Sequence, residues 1–481
     1  MVSAFVREQK RYSQEDLCGI FQCNEENAIP LIRKLKEFGI LKAVKASDIQ
    51  KNMSDLLPED VEVADVEIGE NDYFYVFTFV GIVVISGRVL KCYPKYLSRV
   101  NHLKEKFHQI IKVLEKYNSK KQIVQMFNDS IETKSFNLLA VLLFLLNDYY
   151  EFGSYTNTED VIESNGSGEI FWDKTINETF MLLSHNRPYY IDILTKKRIE
   201  DEHDYFKRLH ECVLTKASKE LKDADLLDIF EITEVDLSDE DLSDFGEKDY
   251  ILNRIEKELN VQFNTRKQNV LKTIYAYIHH SGSLSDIDTL ALFGSNSFNL
   301  VWEDVCAEIL DDKLYVPLGS LELPMSLKES YNSKDALIDL IDKPFWSKTG
   351  LQADATLRPD IITIKKIGQE YQFIIFDAKY YVPILKNGVA PKGQPGIESI
   401  TKQYLYQLAY KEFIEDHGFA DVKNCFLMPT ENQFVIDYKE VSLNMLSCLE
   451  LQDIKVRCVP AETAYSFYLS GKKLNVEMLF L

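Results

Sequence analysis

No run of apolar residues in this chain is long enough to cross a bilayer. The longest, Leu138 to Leu146 (LLAVLLFLL), falls well short of the roughly 20 residues that a spanning helix needs. The opening MVSAFVREQKR lacks the apolar core of a signal peptide, so a cytoplasmic protein without a membrane partner is expected. No C-x-x-C pair occurs among the eight cysteines at 18, 23, 92, 212, 306, 425, 448 and 458, and the eight histidines do not cluster beside them. Neither a structural zinc nor a disulfide scaffold is supported, and scattered reduced thiols are expected. No G-x-x-x-x-G-K-[ST] occurs, which argues against a P-loop motor within this sequence. Positive charge is in deficit: 55 Lys and Arg against 76 Asp and Glu give a net charge of −21. Such a balance counts against non-specific nucleic-acid binding by the surface as a whole, and leaves room for a local basic track.

What is present is apolar content of 46% over 481 residues, enough for folded cores and too long for one ordinary domain. The most informative stretch is Leu357 to Tyr381, LRPDIITIKKIGQEYQFIIFDAKYY. Two runs rich in β-branched and aromatic residues, joined at Ile367-Gly368-Gln369-Glu370, read as a hairpin. The second run is almost continuously apolar as far as Phe376, the pattern of a strand covered on both faces. Side chains alternate along a strand, so Asp377 and Lys379 emerge on one side and Ala378 on the other. A carboxylate and an ammonium at the end of a buried strand are costly without partners or a task.

Metal-assisted phosphodiester cleavage is a task that fits. Asp360 can approach Asp377 across the hairpin and form a two-carboxylate pocket for a hard cation such as Mg²⁺, for which Mn²⁺ substitutes. Lys379 would then orient the attacking water or stabilise the developing charge. Pro-Asp, a spacer and Asp/Glu-x-Lys resembles the PD-(D/E)XK nuclease superfamily. That resemblance implies a glutamate on a helix before the hairpin, supporting the metal directly or through water. The helix FNLVWEDVCAEIL, with Ser297 as N-cap, offers Glu303 beside the expected buried face of Trp302, Val305 and Cys306, with Glu308 as the alternative. Downstream, IESITKQYLYQLAYKEF places Ile400, Tyr404 and Leu408 on a seam expected to pack on the sheet, and Gln403 and Gln407 on the next stripe. A glutamine here can hold water or a phosphate. NCFLMP and QFVIDYK read as further strands.

Residues 1–98 read as a winged-helix-like DNA-binding domain: a first helix over Ala4 to Gln9, a second capped by Ser13, a third capped by Asn24 and ending at Gly39, then strands with turns at Gly81 and Ser86-Gly87. Arg33, Lys34 and Lys36 lie on the third helix, the one such a domain lays in a major groove. Residues 99–282 read as a mainly helical middle domain, with HLKEKFHQIIKVLEKY, SFNLLAVLLFLLNDYYEFG and two later segments repeating apolar residues at three and four, and a loop or small hairpin near Asn165 to Gly168. Between Arg88 and Lys121 ten basic residues face two acids, a candidate phosphate track that includes Lys91, Lys95 and Arg99. Thr233 to Asp249 carries eight acids against Lys248 and reads as a solvated connection. Residues 283–481 form the expected nuclease domain, giving a multidomain α+β chain with a C-terminal α/β nuclease core.

SFNLVWEDVCAEIL, RPDIITI, FDAKYY and ITKQYLYQLAY together resemble the LlaJI family of restriction endonucleases, relatives of the McrC nuclease subunit. FVGIVVISGRVLKCYPKY and GEIFWDKTIN carry the likeness across nearly the whole chain. The resemblance assigns the site to Glu303, Asp360, Asp377, Lys379 and Gln403, with Asp377 in place of the commoner Glu. It implies a bacterial restriction and antiviral-defence protein acting on double-stranded DNA, a separate McrB-like AAA+ NTPase and a cognate DNA methyltransferase. The competing reading is a non-catalytic DNA-binding or assembly subunit with a nuclease-like fold, and an RNA substrate is compatible with the same residues.

Overall fold

The computed structural model describes residues 1–45, 73–99, 101–122, 137–185, 187–200, 204–280, 283–284, 290–385, 388 and 391–481. Val100, and Ser135 and Phe136 of the expected middle helix, lie outside them. The described residues form two units, one within 84–87 and 134–292 together with Met1, the other within 2–83, 88–133 and 293–481.

In the second unit, strand β1 (Val2–Arg7) lies parallel to a later strand, so Ala4 to Arg7 is strand and the helix expected there does not form. Its side chains alternate in burial, the signature of a strand. After β2 (Arg11–Tyr12), helix α1 (Gln14–Phe21) starts on a capping box in which Ser13 Oγ accepts from Asp16 N at 3.0 Å and Asp16 accepts from Ser13 N at 2.8 Å. Helix α2 (Glu25–Glu37) is capped by Asn24 and buries Ala28, Leu31, Ile32 and Leu35. Strands β3 (Leu41–Lys45) and β4 (Tyr73–Phe77) complete a three-stranded antiparallel sheet of order β2-β4-β3. Strand β5 (Val80–Ile85) turns through Ser86-Gly87 into β6 (Arg88–Tyr93), which pairs with β1. Gly81 is inside β5 rather than at a turn. A Cβ there would meet Phe293 O at 2.1 Å, and one at Gly294 would meet Val80 O at 2.1 Å, so the two backbones touch where only glycines fit. Helix α3 (Leu103–Gln122) follows.

The first unit has helix α4 (Leu138–Phe152), strands β7 (Thr158–Ser164) and β8 (Glu169–Ile170), helix α5 (Trp172–Glu178), a hairpin of β9 (Met181–Ser184) and β10 (Arg187–Tyr190), and β11 (Leu194–Glu200). The segment read as a loop or small hairpin around Asn165 to Gly168 holds β7 and β8, which pair not with each other but each with β11, while β9 and β10 form a sheet of their own beyond it. Helices α6 (Tyr205–Asp223), α7 (Lys248–Val261) and α8 (Thr265–His280) follow. Arg266 of α8 grips Asp148 of α4 through Nε at 3.1 Å and Nη2 at 2.7 Å. The acidic stretch is not merely solvated. Asp241 and Glu234 pair with Lys216 and Lys222 of α6, Glu240 pairs with Arg208, and Val235 and Phe245 are buried.

Strand β12 (Leu290–Ser295) precedes helix α9 (Phe298–Ile309), and a small ladder of β13 (Phe345–Trp346) with β14 (Leu351–Gln352) precedes the hairpin. The hairpin is β15 (Ile361–Ile367) and β16 (Glu370–Ala378), Ile361 facing Phe376, with Gly368 at φ 64° in the turn. Helices α10 (Ile397–Ala409) and α11 (Lys411–His417) lead to β17 (Asp421–Thr430), β18 (Ile436–Val441) and β19 (Ile454–Pro460), and helix α12 (Ala461–Ser470) follows. The sheet order is β15-β16-β17-β19-β18, with β16, β17 and β19 mutually parallel. One core joins Ile362, Phe373 and Ile375 to Tyr406, Tyr410 and Phe413, and a second joins Tyr404 to Phe426, Met428, Ile454 and Val456. Each such fully buried side chain contributes about 1.5–3 kcal/mol over an exposed one. The helix seam differs from the expected one: Gln403, Tyr404, Tyr406 and Gln407 are buried, and Leu408 is 41% exposed.

Candidate active site

Three elements converge on the end of β16. Asp312, just beyond α9, accepts from Ile362 N at 2.9 Å and Leu314 N at 3.0 Å, and Thr363 Oγ1 donates to Leu310 O at 2.8 Å. These bonds fasten the end of α9 to β15. On the other side, Leu427 O of β17 accepts from Lys379 N at 2.8 Å and from Trp302 Nε1 at 3.2 Å, tying α9 to the strand that carries the chemistry.

Asp360 Oδ2 accepts from Ala378 N at 2.9 Å, which locks the carboxyl across the hairpin. Asp377 is the acid that acts on it most strongly. Asp377 is 3% exposed, and its Oδ1 lies 2.8 Å from Lys379 Nζ, so the same-side placement read from strand alternation is realised. Burial first, then Asp377, push the Asp360 carboxyl up to about 9. Burial also raises Glu303, against the pull of Lys379 and Arg358 and with the push of Asp377. For Lys379 burial works downward, but the charge and hydrogen bond of Asp377 outweigh it and the ammonium sits above its ordinary value. Two carboxylates thus crowd into one partly dry pocket with one lysine, with the Glu303 carboxylate acting on all three.

Glu303 and Glu308 part company on α9. Glu303 acts on the pocket, whereas Glu308 pairs with Lys116. Gln403 is fully buried and its Nε2 donates to Ile375 O at 3.0 Å, two residues before Asp377, leaving its Oε1 without a hydrogen-bond partner. Gln407 is spent on structure, its Oε1 accepting from Asn424 Nδ2 at 2.7 Å and Gln452 N at 3.1 Å. Two further residues reach the pocket without having been singled out from sequence. The Tyr406 phenol is raised by burial and then by the charges of Asp377 and Asp360, and exposed Arg358, packed over the Tyr315 ring at 5.5 Å, acts on Glu303. Tyr406 follows Gln403 by three on one helix face, a spacing that could have pointed to it.

The proposed basic residues are divided. Arg33 is exposed on α2, with Lys34 and Lys36 half-buried. Arg99 is 71% exposed on its side chain and pairs with Glu431 at 3.5 Å. Lys91 is 2% exposed with its ammonium 5.5 Å from the Phe5 ring, and Lys95 donates to Gln9 Oε1 at 3.0 Å. This corrects the continuous track: Lys91 and Lys95 are turned inward, because the strand and turn that carry them are packed into the core.

The family model of the LlaJI restriction endonucleases matches residues 79–459, which include the whole hairpin and both flanking helices. The chain belongs to the LlaJI restriction endonuclease family. The likeness read from the sequence motifs is thereby borne out. Among curated proteins, the Type II restriction enzyme BsuMI component YdjA of Bacillus subtilis (strain 168) is 27% identical over 417 residues, covering 84% of this chain and 83% of its own. Among solved structures, a chain in the half-complex of Thermococcus gammatolerans McrB AAA+ hexamers with bound McrC aligns over 98% of this chain and 99% of its own, at 11% identity and a TM-score of 0.39. A chain of the McrBC complex from the same organism aligns over 58% of this chain and 80% of its own, at 13% identity and a TM-score of 0.22. Among the described residues no helix is long and apolar enough to cross a membrane.

Proposed function

We propose that this member of the LlaJI family is the Mg²⁺-dependent DNA endonuclease subunit of a restriction system, with a PD-(D/E)XK core. The observation that carries the reading is the placement of Asp360, held by Ala378 N at 2.9 Å, and of Asp377, 2.8 Å from Lys379 Nζ, at the end of one buried strand. Among the described residues no group of three or more His, Cys, Asp or Glu side chains forms a ready metal cage. Mg²⁺ does not require one, since it keeps several waters and takes one or two carboxylates together with substrate phosphate. The donor set fits: Asp360 lies far above its ordinary value because a second buried acid shares its space, and a hard cation would relieve that crowding. When bound, Mg²⁺ supplies Lewis acidity and a more acidic water.

The chain's own groups do the rest. Asp360 and Asp377 hold the cation, with Glu303 supporting it from α9. Lys379, its ammonium kept charged by Asp377, orients the attacking water or stabilises charge on the phosphate. Gln403 offers its unpaired Oε1 to a water and fixes β16 through Ile375 O. Arg358, exposed and acting on Glu303, is a cation that could meet a neighbouring phosphate. In the N-terminal segment, α1, α2 and the β2-β4-β3 sheet form a winged-helix-like unit, with Arg33, Lys34 and Lys36 of α2 and the exposed Arg99 as DNA contacts. A separate AAA+ NTPase controls cleavage, and a cognate methyltransferase protects host DNA. The apolar side chains on and beside the β9-β10 hairpin support a protein partner, with Phe180 74%, Leu183 66% and Ile191 65% exposed.

The test is cleavage of unmodified duplex DNA across a Mg²⁺ and Mn²⁺ titration, with and without the NTPase and nucleotide. The parent chain cuts weakly alone and strongly with its partner, and Asp377→Asn folds, binds DNA and does not cut. Asp377→Asn cutting at the parental rate would remove this pocket as the active site and favour the non-catalytic reading. Strong, site-specific cutting by the chain alone would remove the need for the motor.

A further inference from the structure

Immediately past Lys379 lies a second buried polar group that the cleavage chemistry does not use. Glu8, between β1 and β2, is only 5% exposed. Its Oε2 accepts from Tyr380 Oη at 2.5 Å and from Lys95 N at 3.2 Å. Lys95 Nζ lies 4.6 Å from the centre of the Tyr380 ring and donates to Gln9 Oε1 at 3.0 Å. The ring, 7% exposed, meets Tyr96 edge-on at 6.3 Å and Phe298, the first residue of α9, at 5.4 Å. Tyr96 Oη in turn bonds Tyr465 Oη at 2.8 Å. An apolar filling of the same space would avoid the cost of burying a carboxylate, so this arrangement specifies geometry more than it adds stability.

We propose that Glu8 and Tyr380 are positioning residues that brace the chain at the end of β16 and so hold Lys379 against Asp377. The inference rests on the active-site reading above. β16 ends at Ala378, and Lys379 N makes a single further ladder bond, to Leu427 O. Beyond it the main chain is fixed through the Tyr380 side chain, whose hydroxyl has the buried Glu8 as its anchor. A lysine has four rotatable side-chain bonds, and a shift of its backbone moves the ammonium off the phosphate. Misplacement of about 1 Å can cost about 10²-fold in rate. Burial pushes the Glu8 carboxyl up, opposed by Lys95 and the Tyr380 hydroxyl, which identifies those two as the partners that make its burial tolerable.

The experiment uses the full chain with its NTPase partner and two readouts. At one fixed pH, Lys379 acylation by a small N-hydroxysuccinimide ester is followed by mass spectrometry, a measurement that needs no activity. In Tyr380→Phe, Lys379 should label several-fold faster while Lys313 and Lys402 label as in the parent, and kcat should fall about tenfold with KM for DNA unchanged. Glu8→Gln keeps an acceptor oxygen and should restore near-parental behaviour, whereas Glu8→Leu should match Tyr380→Phe and carries the test if the latter does not fold. Unchanged Lys379 labelling and unchanged kcat in Tyr380→Phe or Glu8→Leu overturn the brace. Asp377→Asn is run alongside: if it cuts normally the active-site reading fails, and if it is dead while Tyr380→Phe is normal, the brace alone fails.

Discussion

Two buried clusters of carboxylate and lysine flank the end of β16, and they resolve their charge in opposite ways. In the Glu8 cluster one acid meets a phenol, a backbone N–H and a nearby ammonium, and every group has its partner within the fold. In the Asp360 cluster two acids share one lysine, a third acid acts on the pair, and one carboxyl is pushed to about 9. Burial alone does not distinguish a site from a support, because both clusters are buried. The distinction is a proton: the second acid of the Asp360 pair has no cation of its own in the fold and keeps its proton far above the ordinary carboxylate range.

The largest effect that would sharpen this contrast is Lys379→Ala, expected to lower cleavage by about 10²- to 10³-fold in a chain that still folds and binds DNA. A small rate loss in single-turnover kinetics would place the Asp360 cluster outside the chemistry. Next comes the pair on α9. Glu303→Gln should cost about tenfold or more in cleavage and raise the Mg²⁺ needed for half-maximal rate, while Glu308→Gln, which weakens the pairing with Lys116, should leave both near parental. Equal effects would show that proximity to the pocket does not matter.

A pH experiment separates the clusters without DNA. The folded Asp360 carboxyl lies at about 9, above its ordinary 3.8. The stability it contributes is therefore complete below about pH 4 and is lost as pH rises toward 9. In EDTA, Asp360→Asn should melt above the parent at pH 8, and the gap should close at pH 4. A gap that widens toward acid would mean that Asp360 is ionised in the fold. The smallest expected effect concerns DNA. Arg33→Glu should lower the slope of log K against log salt by about 0.9 for each phosphate that the protein no longer neutralises. Lys91→Glu, by contrast, should unfold the N-terminal segment before it changes any slope, because Lys91 is 2% exposed.

Local signals are readable in the sequence and distant ones are not. The hairpin shows itself through a Gly-containing turn and an apolar run, and the capping residues Ser13 and Asn24 give the starts of α1 and α2. Ala4 to Arg7 reads as helix because the partner of β1 is the parallel strand β6, and parallel pairing leaves no mark on neighbouring residues. Strand β19 escapes notice because Lys455 and Arg457 interrupt its apolar run. Its Arg457 is 2% exposed and donates to Leu479 O, Phe480 O and Lys439 O. In the pocket the carboxylates and Lys379 follow from strand alternation, whereas the difference between Gln403 and Gln407 depends on which carbonyl or amide each one finds across the sheet.

The bond between Glu8 and Tyr380 closes a span of 372 residues. On a ribosome adding about 5–20 residues per second, Glu8 is made roughly 20 to 70 s before the tyrosine that will bind it. Through that interval the glutamate has no Tyr380 to receive. Only when the nascent chain has passed the hairpin of β15 and β16 can its beginning be buried against it. A chain cut short before that point has its first strand but neither the end of β16 nor the hydroxyl that anchors it.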